Sequence, residues 1–361
     1  MTTLQTASRV EKLRRKLVDQ EIDALLVSQP ENRYYLSGFS GSAGFLLITP
    51  QDKFLATDFR YIEQVKVEAP DYEIIKIAGS PDSWLPGLVS GLNINRLGFE
   101  AEYFTVTTYH QFTDILNRAR PGLEFIPREG MVESLRAIKE AGEIELIKKA
   151  VAITVSATEY IEDIIHAGMT EKELAWSIEM FLRENGSESM PFNVIVASGP
   201  NAALPHAQPS SRAIGGGEPV IIDMGARYEG YSSDISRTFC ISPADDTYAM
   251  VYDTVRRAQE EAIIKIEEGL TGEEADSLSR RVIEQAGYGE AFGHSLGHGI
   301  GLACHEFPRL GPGADECLTN GMVFTIEPGI YLPGWGGVRI EDDVTIENGA
   351  VKVLSKARRT T

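Results

Sequence analysis

Histidines are concentrated in one short segment of the chain. Three of the six lie in GHSLGHGIGLACHE (293–306), at positions His294, His298 and His305. Imidazoles can bind a metal, bind a phosphate or simply pack. The segment lacks the Lys-Ser/Thr pair of a P-loop and the glutamate that follows the first histidine of a zincin helix, and its glycines disfavour a helix. Neither of those motifs therefore explains the three histidines.

Acidic residues follow a second pattern, at the ends of apolar strands. In VIIDMGARYEGYSSDISRTF (220–239), Asp223 follows one predicted strand and Asp234 opens the next. Their midpoint falls between Tyr228 and Glu229, so a tight turn there would set the two carboxylates almost opposite each other, ~4.5–5.5 Å apart. Like charges at that distance destabilise a strand pair unless a cation lies between them.

The same arrangement recurs in VFTIEPGIYLPGWGGVRIEDDV (323–344). Glu327 closes an apolar strand, Glu341 lies in the next, and their midpoint is Gly334, inside the turn LPGWGG. One such acid alone is usually a solvated or turn-forming residue. Two hairpins that each pair two acids, with the histidine segment before the second hairpin, indicate four carboxylates and an imidazole at one site.

This set of side chains indicates two metal ions. Four carboxylates are too negative for one divalent ion but balance two, and oxygen-rich ligation favours Mn²⁺, Co²⁺ or Fe²⁺ over the His- and Cys-rich ligation of mononuclear zinc sites. Two ions ~3.5–4 Å apart are a common device for generating a hydroxide and stabilising an oxyanion. The residues therefore predict a dinuclear hydrolase.

The elements that position these groups divide the chain in two. Up to about Pro127, short β-rich runs alternate with helical spacing, which predicts a small α/β domain. The segments are strand-like at 23–28, 44–49 and 53–57 and helix-like at 9–20 and 60–68. We predict an N-terminal domain of residues 1–130 and a catalytic domain of residues 131–361.

The second domain begins with helices and continues with strands. A long helix is predicted from Glu133 to about Ile165, and another over 171–185, with Thr170 as N-cap and Glu173 at its capping-box position. Strand-like segments rich in Gly and Pro, at 190–241 and 291–348, flank helical stretches at 246–268 and 272–286. Strands and helices in runs predict an α+β domain with a largely antiparallel sheet.

Composition restricts the partners of the chain. The formal charge of −19 over 361 residues repels nucleic acid and anionic membranes, and only a short stretch, Lys12–Lys16, is basic. No run approaches the ~18 apolar residues of a membrane span, and the N-terminus lacks the apolar core of a secretory signal. The three cysteines lack CxxC spacing. We expect no nucleic-acid or membrane partner, no disulfide framework and a cytoplasmic location.

The motifs also resemble a known family. DMGARYEGYSSDISRTF, GHSLGHGIGLACHE, TIEPGIY and VRIEDDV occur in the order and spacing of the pita-bread-fold metallopeptidases, which include prolidase, aminopeptidase P and methionine aminopeptidase. The N-terminal third, with NRYYLSGFSGSAGFLLI (32–48) and ATDFRYIEQ (56–64), resembles the creatinase-type domain of prolidase and aminopeptidase P. The resemblance implies an α/β creatinase-type domain followed by an α+β pita-bread catalytic domain.

The resemblance implies a ligand set of five residues for two divalent ions. Asp223 would bind one ion, Asp234 and Glu341 would bridge both, and His298 and Glu327 would complete the other. Mn²⁺ is the preferred metal, with Co²⁺, Zn²⁺ or Fe²⁺ as alternatives.

The remaining histidines take roles by the same resemblance. His206, in NAALPHAQP, matches a loop histidine that lines the substrate site, and His305 matches one that contacts the scissile carbonyl. His294 matches a position behind the ligands or in a proton relay. Glu327 would shuttle the proton to the leaving nitrogen.

Two arginines and a cysteine complete the candidate residues. Arg339, two residues before Glu341, should share its strand face, where it could orient that carboxylate, meet the substrate or form a plain surface ion pair. Arg309, in HEFPRLGP, resembles an arginine found in several prolidases near the substrate carboxylate. Cys304 replaces a branched aliphatic residue common in relatives and would bring an oxidisable thiol near the metals.

The predicted function is hydrolysis of the Xaa-Pro bond in dipeptides or short peptides by a hydroxide that bridges the metals. Three alternatives remain: an aminopeptidase P acting on longer Xaa-Pro peptides, a creatinase-like hydrolase or lyase of a small non-peptide substrate, and a non-catalytic peptide-binding scaffold. The resemblance also implies a homodimer.

Overall fold

The structure, a computed structural model, describes residues 3–241, 243–244 and 246–357. The chain forms two compact units, Met1–Arg136 and Ala137–Thr361. Over the described residues, no helix combines the length and the apolar character needed to cross a membrane.

The first unit is built on a mixed sheet of six strands. They are β1 (Ala24–Val27), β2 (Phe45–Ile48), β3 (Lys53–Asp58), β4 (Glu73–Ile77), β5 (Arg96–Glu100) and β6 (Glu124–Arg128), in the order β4-β3-β2-β1-β5-β6. The helices are α1 (Thr3–Asp19), α2 (Pro30–Ser37), α3 (Ile62–Glu68), α4 (Leu85–Val89) and α5 (Val106–Ala119). Strands β1, β2 and β3 pair antiparallel, and the other three pairings are parallel. The predicted α/β character is confirmed.

Five further α-helices follow among the described residues. They are α6 (Glu133–Ala137), α7 (Ala141–Ile164), α8 (Glu171–Glu184), α9 (Asp246–Lys265) and α10 (Gly272–Gln285). The prediction of one continuous helix from Glu133 to about Ile165 is wrong. Ile138 forms a β-bridge with Met322, and Glu140 then caps the start of α7. Pairing with a distant strand therefore interrupts a segment that has helical spacing throughout.

The second unit contains two larger antiparallel sheets and two short hairpins. Its strands are β7 (Ile195–Ser198), β8 (Pro219–Met224), β9 (Arg227–Tyr228), β10 (Tyr231–Ser232), β11 (Ile235–Cys240), β12 (Gly297–Gly299), β13 (Glu306–Leu310), β14 (Val323–Ile326), β15 (Gly329–Leu332), β16 (Gly336–Arg339), β17 (Asp342–Glu347) and β18 (Ala350–Val353). The sheets have the orders β11-β8-β7 and β13-β12-β14-β17-β18, and β9 pairs with β10 and β15 with β16. The predicted α+β fold with antiparallel sheets is confirmed.

The register of the first acidic hairpin differs from the prediction. Strands β8 and β11 pair Asp223 with Ser236, so Asp234 lies two residues away, diagonally across the ladder. The turn consists of Glu229 and Gly230, whose φ angles are 45° and 82°. Positive φ at both central residues defines the two-residue type I′ turn, which matches the twist of the strands. The centre of this turn lies one residue beyond the predicted midpoint. Moving the centre of a hairpin by one residue moves the cross-strand partner of each residue by two positions, so Asp223 faces Ser236 and not Asp234.

The second acidic hairpin turns about Gly334, as predicted. Strands β14 and β17 pair Thr325 with Asp343, and β15 and β16 pair Gly329 with Arg339. Both ladders continue the same residue-to-residue pairing. Glu327 and Glu341 lie between the two ladders and therefore face each other. Both acids therefore lie where the backbone leaves one sheet for the other.

A buried glutamine from α9 spans this gap. The side-chain amide of Gln259 donates hydrogen bonds to the carbonyl oxygens of Ile326 at 3.3 Å and Ile340 at 3.2 Å, and to a carboxylate oxygen of Asp342 at 3.0 Å. Ile326 and Ile340 directly precede the two facing glutamates. The amide satisfies carbonyl groups that the interrupted ladder leaves unpaired.

Candidate metal centre and active site

The second unit brings acids from both hairpins together with His298. Ligand atoms of Asp234, His298 and Glu341 all lie within 4.8 Å of one another. The Nε2 atom of His298 is 3.7 Å from Oδ2 of Asp234 and 3.5 Å from Oε1 of Glu327. These distances suit groups that share a cation.

Backbone contacts fix the orientation of His298. Its Nδ1 atom lies 3.1 Å from the carbonyl oxygen of Gly299, which can only accept, so Nδ1 carries the proton and Nε2 faces the acids with its lone pair. Its backbone N–H donates to Oγ1 of Thr325 at 3.1 Å. Burial lowers the pKa of His298 to about 4. The imidazole is therefore neutral near pH 7, the form that binds metals.

The buried acids repel one another. Burial raises the pKa of Glu327 to about 8, with Asp223 adding to the shift. Burial followed by neighbouring carboxylates raises the pKa of Asp234 and of Glu341 well above the ordinary range. Burial and mutual repulsion therefore disfavour the charged forms of these acids unless a cation lies among them.

Unpartnered oxygens support the same conclusion. Among the described residues, Oδ1 of Asp223 and Oδ1 of Asp234 are buried and have no hydrogen-bond partner. Buried polar atoms are nearly always paired, so two such oxygens beside a neutral imidazole are positioned to bind a cation. The oxygen-rich donor set fits divalent cations.

Arg339 links the acids of the two hairpins. Its Nη2 atom donates to Oδ2 of Asp223 at 2.7 Å, and its Nε atom donates to Oγ of Ser236 at 2.8 Å. The Ser236 hydroxyl in turn donates to Oε2 of Glu341 at 2.8 Å. The sequence predicts that Arg339 could orient Glu341. Arg339 reaches Glu341 only through the Ser236 hydroxyl, and it forms its ion pair with Asp223.

Tyr331 is a component that the sequence reasoning missed. Its hydroxyl accepts a hydrogen bond from Nη1 of Arg339 at 3.0 Å and lies 2.9 Å from Nε2 of His294. The Nδ1 atom of His294 faces the carbonyl oxygen of Ser295 at 2.8 Å, so Nε2 accepts the Tyr331 proton. Burial lowers the pKa of His294 to about 4. Tyr331 lies in TIEPGIY, the motif from which the sequence predicts Glu327 as a ligand.

His305 lies against the imidazole of His298, with ring centroids 3.9 Å apart. Glu306, the next residue, accepts a hydrogen bond from the backbone N–H of Ala303 at 3.3 Å and forms an ion pair of 2.8 Å with Lys139. The exposed fractions of the Lys139 and Glu306 side chains are 1% and 5%. This buried pair holds the bend that carries His305. Lys139 was missed because the predicted continuous helix gave it no partner.

His206 lies on the loop between β7 and β8 and is exposed. The preceding carbonyl oxygen, of Pro205, accepts a hydrogen bond from Nη1 of Arg339 at 3.1 Å. Burial lowers the pKa of His305, and His206 lowers it further while Asp223 opposes the shift. The loop thus brings His206 to the same side of the site as His305.

Both units of the chain match known protein families. Residues 145–348 match metallopeptidase family M24, and residues 9–138 match the creatinase/prolidase N-terminal domain. The chain belongs to metallopeptidase family M24. The two matches account for the α+β and α/β units in that order.

Relatives of this M24 peptidase match over nearly their whole length. The Xaa-Pro dipeptidase of Pyrococcus furiosus is 36% identical, with 97% of this chain and 98% of the relative covered. A solved Xaa-Pro dipeptidase from Bacillus anthracis is 41% identical, covers 98% of each chain and gives a TM-score of 0.93. A solved X-Pro aminopeptidase from Thermotoga maritima is 38% identical, covers 97% of this chain and 98% of its own, and gives a TM-score of 0.88. The predicted pita-bread peptidase architecture is confirmed.

Two further candidate residues of this M24 peptidase neighbour the acid cluster and His298. Arg309 pairs with His298 across β12 and β13, and its guanidinium donates to Oγ of Ser295 at 3.3 Å and to the carbonyl oxygen of Pro312 at 3.1 Å. The Cys304 thiol donates to Oδ2 of Asp234 at 3.4 Å. Burial raises the pKa of Cys304 to about 12, so little reactive thiolate forms.

Proposed function

We propose that this M24 peptidase hydrolyses the Xaa-Pro bond of dipeptides and short peptides with two divalent cations, preferably Mn²⁺. The observation that carries the proposal is the cluster of buried acids around neutral His298, with two oxygens that lack partners. Extensive identity to proteins named Xaa-Pro dipeptidase supports the substrate class. The proposal assigns the chemistry to the predicted catalytic domain, residues 131–361.

Five side chains would hold the cations: Asp223, Asp234, His298, Glu327 and Glu341. Asp223 would use Oδ1, because Arg339 occupies Oδ2. Asp234 and Glu341 would bridge the ions. When bound, such ions polarise the scissile carbonyl and lower the pKa of a water molecule.

Proton transfer falls to Glu327. The nitrogen of the Xaa-Pro bond has no hydrogen and must be protonated as it leaves, so the reaction requires a positioned acid. Glu327 would accept the proton that the attacking water molecule loses. Its carboxyl group would then deliver that proton to the proline nitrogen.

The remaining candidates would bind and orient the substrate. His305 would donate to the scissile carbonyl oxygen, and His206 would line the substrate side. His294 would relay a proton through Tyr331, since their side chains share a hydrogen bond of 2.9 Å. Arg309 is the candidate for reading the free carboxylate of a dipeptide, and Arg339 would hold Asp223 in place.

The test is product analysis after chelation and Mn²⁺ reconstitution, with Ala-Pro and Ala-Pro-Ala supplied in parallel. Release of proline from Ala-Pro supports the dipeptidase. Cleavage mainly of Ala-Pro-Ala would support the aminopeptidase alternative, which the similarity to the Thermotoga maritima enzyme keeps in view. Hydrolysis of neither peptide would contradict the proposal and favour a non-peptide substrate or a scaffold.

Metal content tests the bridging acids. We expect about two equivalents per chain in the wild type and a lower content in Asp234→Asn, which removes a shared charge. Asp253→Asn is the matched control, because Asp253 is an exposed residue paired with Arg256 on α9. Equal metal content in all three proteins would contradict the role of Asp234.

The proposal includes a homodimer in the cytoplasm. The three free cysteines are consistent with a reducing compartment, and the net charge of −19 disfavours nucleic-acid and membrane partners. Sedimentation equilibrium tests the dimer, and a monomer at micromolar concentration would contradict it.

A further inference from the structure

A single buried carboxylate binds both ends of the loop that carries His206. Glu171, the first residue of α8, has an exposed fraction of 0%. It accepts hydrogen bonds from the backbone N–H and hydroxyl of Ser198, both at 2.8 Å, and from the same groups of Ser210, at 3.0 and 2.6 Å. The amide of Asn201 adds two contacts, at 3.0 and 3.1 Å. Both ends of the loop 199–210 are thus tied to one side chain.

The charge of Glu171 is maintained by these donors. Burial alone would raise the pKa of its carboxyl group, but the hydrogen bonds from Ser210 and Ser198 outweigh that effect and lower the pKa. Charge-assisted hydrogen bonds are roughly twice as strong as neutral ones. Glu171 therefore binds the two ends of the loop in its ionised form.

The middle of the loop lies on the strand that carries Arg339. A Cβ atom on Gly337 of β16 would come within 2.2 Å of the carbonyl oxygen of Ala202, so the two backbones touch. Ala202 is buried in a small cluster with Tyr331. The carbonyl oxygen of Pro205 accepts from Arg339 at 3.1 Å. The loop is therefore held at its ends by Glu171 and at its middle by contacts with Gly337 and Arg339 of β16.

We propose that Glu171 is a positioning residue for His206. It makes no contact with the acid cluster among its described hydrogen bonds, yet it determines where the chain enters and leaves the segment that presents the imidazole. The inference rests on the proposed function, because it takes His206 as a group on the substrate side. It extends that function by assigning a role to a carboxylate outside the metal centre.

The same turn of α8 supplies a matched control. Glu173 lies two residues further on and accepts hydrogen bonds from the backbone and hydroxyl of Thr170, both at 2.8 Å, in a capping box. Glu171→Gln replaces an acceptor oxygen by a donor that faces other donors. Glu173→Gln makes the same chemical change, but glutamine preserves a capping box. Only the first change disturbs the loop.

Histidine side-chain NMR of the Zn²⁺-loaded protein tests the inference without turnover. The His206 signal is assigned by its loss in His206→Ala, and His110, in the first unit, serves as the reference. We expect the His206 signal to move in Glu171→Gln and to stay in place in Glu173→Gln. An unchanged His206 signal in a folded Glu171→Gln protein would overturn the inference. Should Glu171→Gln fail to fold, Ser210→Ala, which removes one donor, must move the same signal.

A kinetic cycle on Ala-Pro gives the second readout. Misplacement of a substrate-positioning group by about 1 Å can cost roughly 10²-fold, and we expect a loss of this order in kcat/KM for Glu171→Gln. In the His206→Ala background the same change should cost less than about twofold, because coupled residues are not additive. Additive losses, or full activity of His206→Ala, would overturn the inference. If the wild type cleaves no Ala-Pro, the proposed function fails, and the NMR result still decides the role of Glu171.

Discussion

Arg339 and Asp223 form a buried ion pair of 2.7 Å that joins β16 to β8. The guanidinium takes Oδ2 of Asp223 and leaves Oδ1 without a partner. The Asp223 carboxylate thus binds a protein cation through Oδ2, and Oδ1 is the oxygen that would bind a metal ion. The arginine lowers the net negative charge of the cluster without blocking that position.

Loss of this arginine should destabilise the protein. Arg339→Met leaves Asp223 buried without its partner, and breaking a buried ion pair typically costs about 3–5 kcal/mol in the free energy of unfolding. Urea denaturation of the metal-free protein measures the change. Arg256→Met, which removes an exposed pair on α9, should cost no more than about 1 kcal/mol. Similar losses in the two variants would contradict the buried role.

Arg339→Lys separates charge from geometry. Lysine retains the positive charge but cannot donate at once to Asp223, Ser236 and Tyr331. We expect stability between those of the wild type and Arg339→Met, together with a weaker affinity for Mn²⁺ measured by titration calorimetry. If Arg339→Lys binds Mn²⁺ as tightly as the wild type, a positive charge at this position is enough and the hydrogen-bond geometry of arginine is not required.

Stability of the metal-free protein should fall between pH 6.5 and 8. The raised pKa values of Asp234, Glu327 and Glu341 mean that the folded state binds more protons than the unfolded chain, so stability is lost as the pH rises towards the folded-state pKa, about 8 for Glu327. The buried histidines have lowered pKa values and act in the opposite direction, but only below about pH 6.5. Above that pH the carboxyl groups dominate.

Calorimetric Tm values with and without Mn²⁺ measure this dependence. The loaded protein holds its carboxylates ionised, so the Tm difference between loaded and stripped protein should widen from pH 6.5 to pH 8. In Glu327→Gln the stripped protein should lose less stability over the same interval. A Tm difference that stays constant with pH would contradict the raised pKa values.

The Lys139–Glu306 pair should support the bend that carries His305. Lys139→Met removes the buried cation that faces Glu306, at a cost of about 3–5 kcal/mol in the free energy of unfolding by urea. The double variant Lys139→Met/Glu306→Gln removes both charges and should recover part of that loss. A double variant less stable than Lys139→Met would contradict a pairwise interaction.

Alkylation should distinguish the cysteines. Cys317 is exposed, whereas Cys304 is partly buried with its pKa raised to about 12. Iodoacetamide at pH 7.5, followed by mass spectrometry, should modify Cys317 well before Cys304, because the thiolate is the nucleophile. Rapid modification of Cys304 in the metal-free protein would contradict this order and restore the expectation of an oxidation-sensitive thiol.

Spacing in the sequence predicted the second acidic hairpin better than the first. The turn about Gly334 lies at the centre of the interval between Glu327 and Glu341, so counting residues gives the register. Counting failed for Asp223 and Asp234 because Glu229 adopts a positive φ, which an ordinary residue seldom does. Turn chemistry, invisible to the hydrophobic pattern, decided the pairing.

Long-range contacts explain the other omissions. Lys139, Tyr331 and Glu171 act through partners that lie far away along the chain, and nothing in their local pattern indicates those partners. The break at Ile138 likewise depends on Met322. Motif order was enough to predict the family and both fold classes, whereas the residues that support the site became visible only in three dimensions.

The shared register of β14–β17 and β15–β16 has a consequence for engineering. Strand pairing holds Glu341 on both sides: β16 pairs with β15 before it, and β17 pairs with β14 after it. At the tip of the hairpin, a Cβ atom on Gly334 would meet nothing within 4 Å. The tip of that hairpin can therefore be lengthened while the ladder below it keeps the two glutamates face to face. A reporter or affinity tag inserted at Gly334 should leave the pairing of the two glutamates intact.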